Sequence, residues 1–154
     1  MQKITTFLTY NDQAEEAAKL YVSLFENSKI TETTHYPPGT PMPTGTVMTV
    51  SFELAGQQYV ALNGGSYFSF TEGVSLSVAC ENQVEIDRLW DALTANGGEP
   101  GDCGWLKDRF GVSWQITPAN MGSLMRGTTP EQSQRRMQAM MKMHKIDIAA
   151  LEQA

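Results

Sequence analysis

Side chains that bind metals or form disulfides are scarce in this chain. Its 154 residues include two histidines, His35 and His144, and two cysteines, Cys80 and Cys103. The cysteines lie outside any CxxC spacing, and thiol pairs of cytosolic proteins are normally reduced, so we expect no disulfide. His35 falls on a strand or at a loop mouth and His144 in the C-terminal segment, so we expect both to be surface or packing residues rather than metal ligands.

Positive charge and long apolar runs are also limited. Eleven Lys and Arg stand against seventeen Asp and Glu, a net charge of −6, and the only short basic group is Arg135-Arg136. Such a charge repels phosphate backbones, which disfavours nucleic acid as a partner. No apolar run approaches the ~20 residues of a membrane span, and the segment from Met1 to Ile4 lacks the apolar core of a signal peptide. We therefore expect a soluble, cytoplasmic protein with no membrane partner.

One strand and helix pattern occurs twice. "ITTFLTY" (4–10) alternates in the manner of a strand, and residues 11–27 carry apolar side chains at helical spacing after Asn11 or Asp12 as a cap. "VSLSVAC" (74–80) and the amphipathic segment 82–98, which ends at Asn-Gly-Gly, repeat the pattern about 70 residues later. The economical interpretation is an internal repeat.

Further strands lie between and after these two copies. Segments 29–36, 45–55 and 57–65 have strand character, and a tight Ala55-Gly56-Gln57 turn joins the last two. "GWLKDRF" and "VSWQITP" predict a hairpin that turns at Arg109-Phe110-Gly111. The proline-rich segment 36–45 must be a loop, and the sequence leaves open whether it is a lid or a passive surface loop.

A helical tail follows the second copy. Thr129, Pro130 and Gln132 form a helix start of the capping-box type. Met137, Met140, Met141 and His144 then recur at helical spacing, which predicts a methionine stripe packed against the domain or a second subunit.

The ordered segments "TTFLTYNDQAEEAAKLYVSLFENSKI", "ALNGG", "FSFTEGVSLSVAC", "VEIDRLWDALTANGG", "CGWLKDRFGVSWQITP" and "KIDIAALEQA" resemble one protein family. This is the PhnB-like family, often labelled 3-demethylubiquinone-9 3-methyltransferase, of the vicinal oxygen chelate superfamily, which includes glyoxalase, bleomycin-resistance and extradiol-dioxygenase proteins. The resemblance implies an α+β fold with two βαβββ modules, each a curved half-barrel sheet with its helix outside, plus a C-terminal helical tail. We expect a paired domain over 1–128, with modules at about 1–66 and 67–118, and a tail over 129–154. Relatives commonly form homodimers, sometimes exchanging modules between chains.

Strand alternation predicts which side chains face the helices and which line the cavity that the resemblance implies. If the more apolar side of each strand faces the helices, a core set follows. That set is Ile4, Leu8, Val50, Phe52, Leu54, Val60, Leu62, Val74, Leu76, Val78, Val112, Trp114 and Ile116. The opposite side is polar and almost uncharged. The candidate ligand-binding residues on it are Thr5, Phe7, Thr9, Ser51, Glu53, Asn63, Ser75, Trp105 and Gln115, with Trp105 as a possible aromatic wall.

Metal-using relatives place four ligands on the first and last strands of the modules. The corresponding positions here fall near Thr5, near Gly73 to Ser75, near Ala61 to Asn63, and at Gln115. Hydroxyls and amides provide no anionic or nitrogen donor for Zn, Fe or Ni, so we expect no bound metal and no cofactor.

Candidates for catalysis are weak. Glu53 is the only carboxylate that alternation places in the cavity, where burial would raise its pKa and suit it to act as a general base, but exposure at the strand end is the simpler interpretation. Cys103 lacks the neighbouring basic side chains that lower the pKa of a reactive thiol, and we expect it to have a structural role. Lys107-Asp108-Arg109 is interpreted as a solvated charge cluster beside a turn. The glycine-rich stretches 63–66 and 97–104 do not follow a strand and open a helix, as a methyl-donor site of the common type requires.

Two functions follow from these expectations. The first is a homodimeric, metal-free protein that binds a small neutral or partly aromatic molecule in its cavity. The second is an enzyme, a divergent lyase, isomerase, dioxygenase-type enzyme or methyltransferase, that acts on a quinone-like or carbonyl substrate, or an enzyme whose metal site is completed by residues that strand alternation misplaces. A purely structural role through the methionine-rich tail is a third.

Overall fold

The structure, a computed structural model, describes residues 2–154 and divides into two compact units, Met1–Phe70 and Thr71–Ala154. The first unit runs β1 (Thr6–Tyr10), α1 (Ala14–Leu24), β2 (Lys29–His35), β3 (Val47–Leu54) and β4 (Gln57–Asn63). These strands form one four-stranded sheet in the order β1-β4-β3-β2, in which β1 and β4 are parallel and the other pairs are antiparallel.

The second unit repeats this plan and adds a tail. It contains β5 (Ser75–Cys80), α2 (Gln83–Thr94), a short 3-10 turn (Ala95–Gly97), β6 (Glu99–Pro100), β7 (Trp105–Lys107) and β8 (Ser113–Pro118). The sheet order, β5-β8-β7-β6, is that of the first unit. Three helices follow, α3 (Met121–Arg126), α4 (Pro130–Met140) and α5 (Ile148–Gln153).

The predicted internal repeat and fold class are confirmed. First strands and first helices start 69 residues apart in the two units, Thr6 with Ser75 and Ala14 with Gln83. Neither sheet closes into a barrel within the described residues 2–154, and each unit has its repeat helix on one face. None of the helices in residues 2–154 is long and apolar enough to cross a bilayer.

The first helix begins in a way the sequence did not predict. Neither Asn11 nor Asp12 caps α1; Gln13 precedes it and makes no side-chain cap. Instead the Ala14 N–H donates to Oδ1 of Asn63, at the end of β4, at 2.8 Å. This bond satisfies one of the backbone donors that a helix start leaves unpaired, and it ties the helix to its sheet.

The second helix has a capping box of its own. The Asn82 side chain accepts from the Glu85 N–H at 2.9 Å, and Oε2 of Glu85 accepts from the Glu81 N–H at 2.8 Å. The helix then ends near Asn96, whose positive φ of 56° terminates it as the Asn-Gly-Gly pattern predicted.

The two cores lie between helix and sheet. In the first unit they include Leu8, Val50 and Phe52, and the hydroxyl of Tyr10 bonds that of Tyr21 at 3.1 Å. In the second unit Ile86, Leu89 and Leu93 of α2 and Trp114 and Ile116 of β8 are at most 1% exposed. Four predicted core residues are wrong. Ile4 and Val74 are 84% and 70% exposed, because both precede the strands to which they were assigned. Val60 and Leu62 lie on the face of β4 opposite the helix side.

The tail belongs to the second unit. Leu124, Ile146 and Leu151 form a buried cluster among α3, α4 and α5. The Cys103 and Gly104 N–H groups donate to the carbonyls of Met143 and His144, both at 2.8 Å, so the chain before α5 is bound along the start of β7.

The helix start in the tail is as predicted, and the methionine stripe packs within this chain only in part, through Met140. The Thr129 side chain caps α4 by accepting from the Gln132 N–H at 3.1 Å. Met137 and Met141, however, are 46% and 66% exposed, because α4 ends at Met140 and turns its Ala139–Met140 side toward the buried cluster.

Candidate functional site

Each sheet has one face under its helix and one open face, and the strand register assigns every side chain to one of them. In the first unit Val50 of β3 pairs with Ala61 of β4, and Ala61 pairs with Leu8 of β1; all three are buried under α1. Alternation then defines the open face. It carries Phe7, Thr9, Thr49, Ser51, Glu53, Val60 and Leu62.

The predicted position of Asn63 is wrong. Its side chain is 7% exposed and lies on the helix side, where Oδ1 accepts from Ala14 and Nδ2 donates to the Val47 carbonyl at 3.1 Å. Val60 and Leu62, which were assigned to the core, are on the open face and only half-buried. In β4 the more apolar side is therefore not the helix side.

Glu53 and Thr5 lie at the margins of the first sheet. Glu53 is near the end of β3, partly exposed, with Lys29 and Gln58 as its cross-strand neighbours. These neighbours do not form the apolar surroundings that would favour a proton acceptor. Thr5 precedes β1 by one residue. Neither residue is part of a cluster that the structure brings together.

The open face of the second sheet brings three predicted residues together. Trp105 of β7 pairs with Gln115 of β8, and Nε2 of Gln115 donates to Oγ of Ser75 on β5 at 3.0 Å. The next row of paired positions on this face is Ser75, Ser113, Lys107 and Glu99. Alternation could have placed Lys107 here, since it lies two residues after Trp105 on the same strand.

A pocket of about 140 Å³ opens on this face. We call it the Trp105 pocket, and its lining includes Glu72, Glu99, Gly101, Trp105, Lys107 and Ser113. The loop that forms one wall is held close to the strand, because the Gly101 N–H donates to the Trp105 carbonyl at 2.8 Å. A side chain at Gly101 would place its Cβ 2.7 Å from that oxygen, so only glycine fits.

An ion pair crosses the rim of the Trp105 pocket. The Lys107 ammonium contacts a carboxylate oxygen of Glu72, and both side chains are substantially exposed, 39% and 65%. Bonding to Lys107 lowers the pKa of Glu72, and bonding to Glu72 raises the pKa of Lys107. Both groups are therefore charged at neutral pH, and Lys107 acts as a hydrogen-bond donor rather than as an amine nucleophile.

Ser113 is the buried polar group of this pocket. It is 2% exposed, and among the residues that the structure describes its Oγ has no hydrogen-bond partner. Buried hydroxyls nearly always have a partner, since burying one without it costs about 1–3 kcal/mol. A ligand that pairs with Ser113 would remove this cost.

The prediction of a solvated Lys107-Asp108-Arg109 cluster is wrong for Asp108. This residue is 3% exposed, and its carboxylate accepts from the N–H groups of Phe110 and Val112 at 2.9 and 3.1 Å. Its other oxygen accepts from the Trp114 indole at 2.9 Å. Asp108 therefore holds the β7–β8 turn together behind the pocket.

Neither cysteine lies in surroundings that would activate a thiol. Burial, followed by the charge of Glu85, raises the pKa of the Cys80 thiol to about 12, so this thiol is protonated at neutral pH. Cys103 adopts a left-handed φ of 57°, and its Sγ lies 3.5 Å from the Met140 carbonyl oxygen. Both cysteines are free in the structure.

The donor set does not fit a transition metal. At the four positions that metal-using relatives employ, this chain offers Thr5, Ser75, Gln115 and Asn63, and the Asn63 amide is already bonded to α1 and β3. Within residues 2–154, no three or more His, Cys, Asp or Glu side chains cluster closely enough to hold an ion. Zn, Fe and Ni sites in proteins are built from such side chains.

The geometry described here, two βαβββ units that each have an open mixed sheet, defines the vicinal oxygen chelate fold. At the level of sequence, residues 2–117 match the family model described as 3-demethylubiquinone-9 3-methyltransferase. The chain belongs to this family, which is the PhnB-like branch of the superfamily.

Solved structures agree with this assignment. The chain is 39% identical to the PhnB protein of Bacillus cereus, which carries the same family name, with a TM-score of 0.69 over 77% of this chain and 100% of that one. Protein PA1353 of Pseudomonas aeruginosa is 22% identical, with a TM-score of 0.62 over 77% of this chain and 98% of that one. The fosfomycin resistance protein FosX of Listeria monocytogenes shares the fold alone. It is 16% identical, with a TM-score of 0.52 over 75% of this chain and 93% of that one. No curated protein sequence matches the chain.

Proposed function

We propose that this protein binds a small, neutral, partly aromatic organic molecule in the Trp105 pocket, without a bound metal. One observation carries the proposal: an aromatic side chain lines the same pocket on an open sheet face as a buried hydroxyl that has no partner in the described part of the chain. Ligand pockets characteristically combine apolar or aromatic walls with a few polar groups that fix orientation. The remaining open-face candidates, Thr5, Phe7, Thr9, Ser51 and Glu53, stay predictions.

We further propose that the protein is a homodimer. The proposal rests on the family resemblance and on large apolar side chains that one subunit leaves exposed, such as Phe7 at 56% and Phe68 at 51%. Light scattering coupled to size-exclusion chromatography tests it, and a monomer at all concentrations would contradict it. Module exchange and the cytoplasmic location also stay predictions.

A ligand screen tests the binding function. Binding to the native state alone raises stability by RT ln(1 + [L]/Kd), so aromatic ketones, quinones and aldehydes should raise the thermal midpoint. Trp105→Leu should weaken the effect, measured from each variant's own midpoint without ligand, while Tyr67→Leu, at an exposed aromatic of the first unit, should not. Ligands that stabilise both variants equally would place binding elsewhere. Zn, Ni or Fe that remains at one per chain after dialysis would contradict the metal-free part of the proposal.

The second candidate is an enzyme that acts on a quinone-like or carbonyl substrate, and the description of the family favours it. The local geometry does not resemble a common methyl-donor site, because no glycine occurs between β1 and α1 (11–13) or between β5 and α2 (81–82). Stabilisation by S-adenosylmethionine, with methyl transfer to a hydroxylated quinone, would establish the enzyme.

A further inference from the structure

We propose that Ser113 and Lys107 together bind an acceptor oxygen, of carbonyl type, on an uncharged aromatic ligand whose ring lies against Trp105. This inference rests on the proposed function and deepens it by naming the group that the pocket recognises. It assigns the polar half of the Trp105 pocket to two residues on neighbouring strands.

The strand register brings the three side chains together. Lys107 and Ser113 are directly paired across the antiparallel β7–β8 ladder, where paired Cβ atoms lie about 4.5–5.5 Å apart. Trp105 pairs with Gln115, so it is the diagonal neighbour of Ser113 at about 7–8 Å. One aromatic ring and its substituent can span that distance.

Ser113 has a hydrogen to donate. Its neighbour in the same row, Ser75, already accepts from Gln115, whereas the Ser113 hydroxyl is unpartnered among the described residues. Each serine keeps its hydroxyl hydrogen, but the Ser75 oxygen is already held by Gln115, whereas the Ser113 hydroxyl has neither its donor nor its acceptor role filled among the described residues.

Lys107 lies beside this site and is not fixed there. It is the long, flexible side chain beside Ser113, and its partner Glu72 is exposed. Exposed ion pairs of this kind contribute little to stability, because water and salt screen them, so the pair parts easily. When it parts, the ammonium can turn its donors to the same ligand oxygen as Ser113.

The charges around the pocket select an uncharged ligand. Lys107 is one positive charge, and Glu72 and Glu99 are two negative ones on the same lining. An anion would be repelled by the carboxylates, whereas a neutral carbonyl oxygen can still accept from both donors. The volume of about 140 Å³ is below the range of about 300 to 1,000 Å³ typical of drug-sized ligands, so it suits one ring with a short substituent.

Three probes with one ring and a short substituent separate the possibilities: acetophenone carries a carbonyl, benzoate a carboxylate, and ethylbenzene no oxygen. Each is titrated into the uniformly ¹⁵N-labelled full-length protein, and the amide shifts of residues 99–117 give the dissociation constant. Acetophenone should bind tightest of the three, in the weak range usual for fragments.

Matched variants assign the contacts. Ser113→Ala should weaken the binding of acetophenone by about 2- to 10-fold, the range for one net hydrogen bond, and leave the binding of ethylbenzene unchanged. Ser77→Ala, an exposed serine on the same face, is its control. Lys107→Met should likewise weaken the binding of acetophenone, and Lys145→Met is its control. Glu72→Gln weakens the ion pair with Lys107 and should strengthen the binding of acetophenone by up to about 5-fold.

A stability measurement separates a ligand contact from a structural role. Because the Ser113 hydroxyl has no partner within residues 2–154, Ser113→Ala should leave the thermal midpoint of the free protein unchanged or raise it. A lowered midpoint, or equal binding of acetophenone and ethylbenzene, would overturn the inference while leaving the proposed function intact. Benzoate binding tighter than acetophenone would overturn the choice of an uncharged ligand. No shifts around Trp105 with any probe would contradict the inference and the proposed function together.

Discussion

The Trp114 indole N–H donates to the buried carboxylate of Asp108 at 2.9 Å, and the same carboxylate accepts the backbone N–H groups of Phe110 and Val112. One acidic side chain thus closes the β7–β8 turn and anchors the largest fully buried side chain of the described chain. The turn holds Lys107 and Ser113, on either side of it, at the Trp105 pocket.

We predict that Asp108→Ala lowers the free energy of unfolding by about 3 kcal/mol or more. The change leaves two backbone donors and one indole donor buried without their acceptor, and each such loss costs about 1–3 kcal/mol. Chemical denaturation followed by tryptophan fluorescence measures the effect. Asp102→Ala, an exposed acid of the same unit, is the control, and an equally small effect for both would contradict the role given to Asp108.

Asn63→Ala should destabilise the first unit by about 2 kcal/mol. The substitution removes an acceptor from the Ala14 N–H at the start of α1, which stays buried, and a donor from the part-buried Val47 carbonyl. Ser51→Ala, on the open face of the neighbouring strand, should change the stability little. If the two variants were equally stable, the side-chain bonds of Asn63 to α1 and β3 would not contribute to the stability of the first unit.

The two thiols should react at different rates in the native protein. Cys80 is 1% exposed and its pKa is raised to about 12, so almost no thiolate forms at neutral pH, whereas Cys103 is partly exposed. A neutral alkylating reagent should therefore modify Cys103 first, and Cys80 only after unfolding. Mass spectrometry of timed digests measures the order, with Cys103→Ser as the control that should remove the fast phase.

Acid should weaken the contact between α2 and the tail. The side-chain hydrogen bonds from Gln83 and then Lys145 hold the pKa of Asp87 below its ordinary value of 3.8. A depressed folded-state pKa contributes stability above the unfolded value, and that contribution is lost as the pH falls through the folded value. Because Asp87 is 46% exposed, the contribution is about 0.5 kcal/mol at most.

Denaturation at about pH 6 and about pH 2.5 measures this loss, as a difference between wild type and Asp87→Asn. The wild type should lose more stability than the variant over this interval. Asp91→Asn, an exposed acid of the same helix, should behave as the wild type does. Equal losses in wild type and Asp87→Asn would contradict the assignment.

The sequence predicted the architecture because its two periodicities are strong and repeated. Alternation in 74–80 and 112–118, and helical spacing in 82–98, each produced the correct element, and the repeat made the two halves support one another. Apolar content alone misassigned β4. Its helix side holds Ala61 and Asn63 because α1 packs closely through small residues such as Ala14, Ala17 and Ala18.

Turn geometry could have corrected this error. The short turn at Ala55–Gly56 pairs Leu54 with Gln57, and counting back from that pair places Ala61 opposite Val50 on the buried side. The Trp105 pocket was only half predictable. Alternation finds Trp105, Ser113 and Lys107, but Glu72 reaches Lys107 from a loop whose path no local pattern encodes.

The backbone bonds from Cys103 and Gly104 to Met143 and His144 set an order for folding during synthesis. All strands of the first unit are complete once Asn63 has left the ribosome, so that unit can fold early. The second unit cannot cover Ile146 until Leu151 has emerged from the ribosome. Until then Leu124 and Ile146 of the nascent chain stay exposed, and exposed apolar side chains are what chaperones bind.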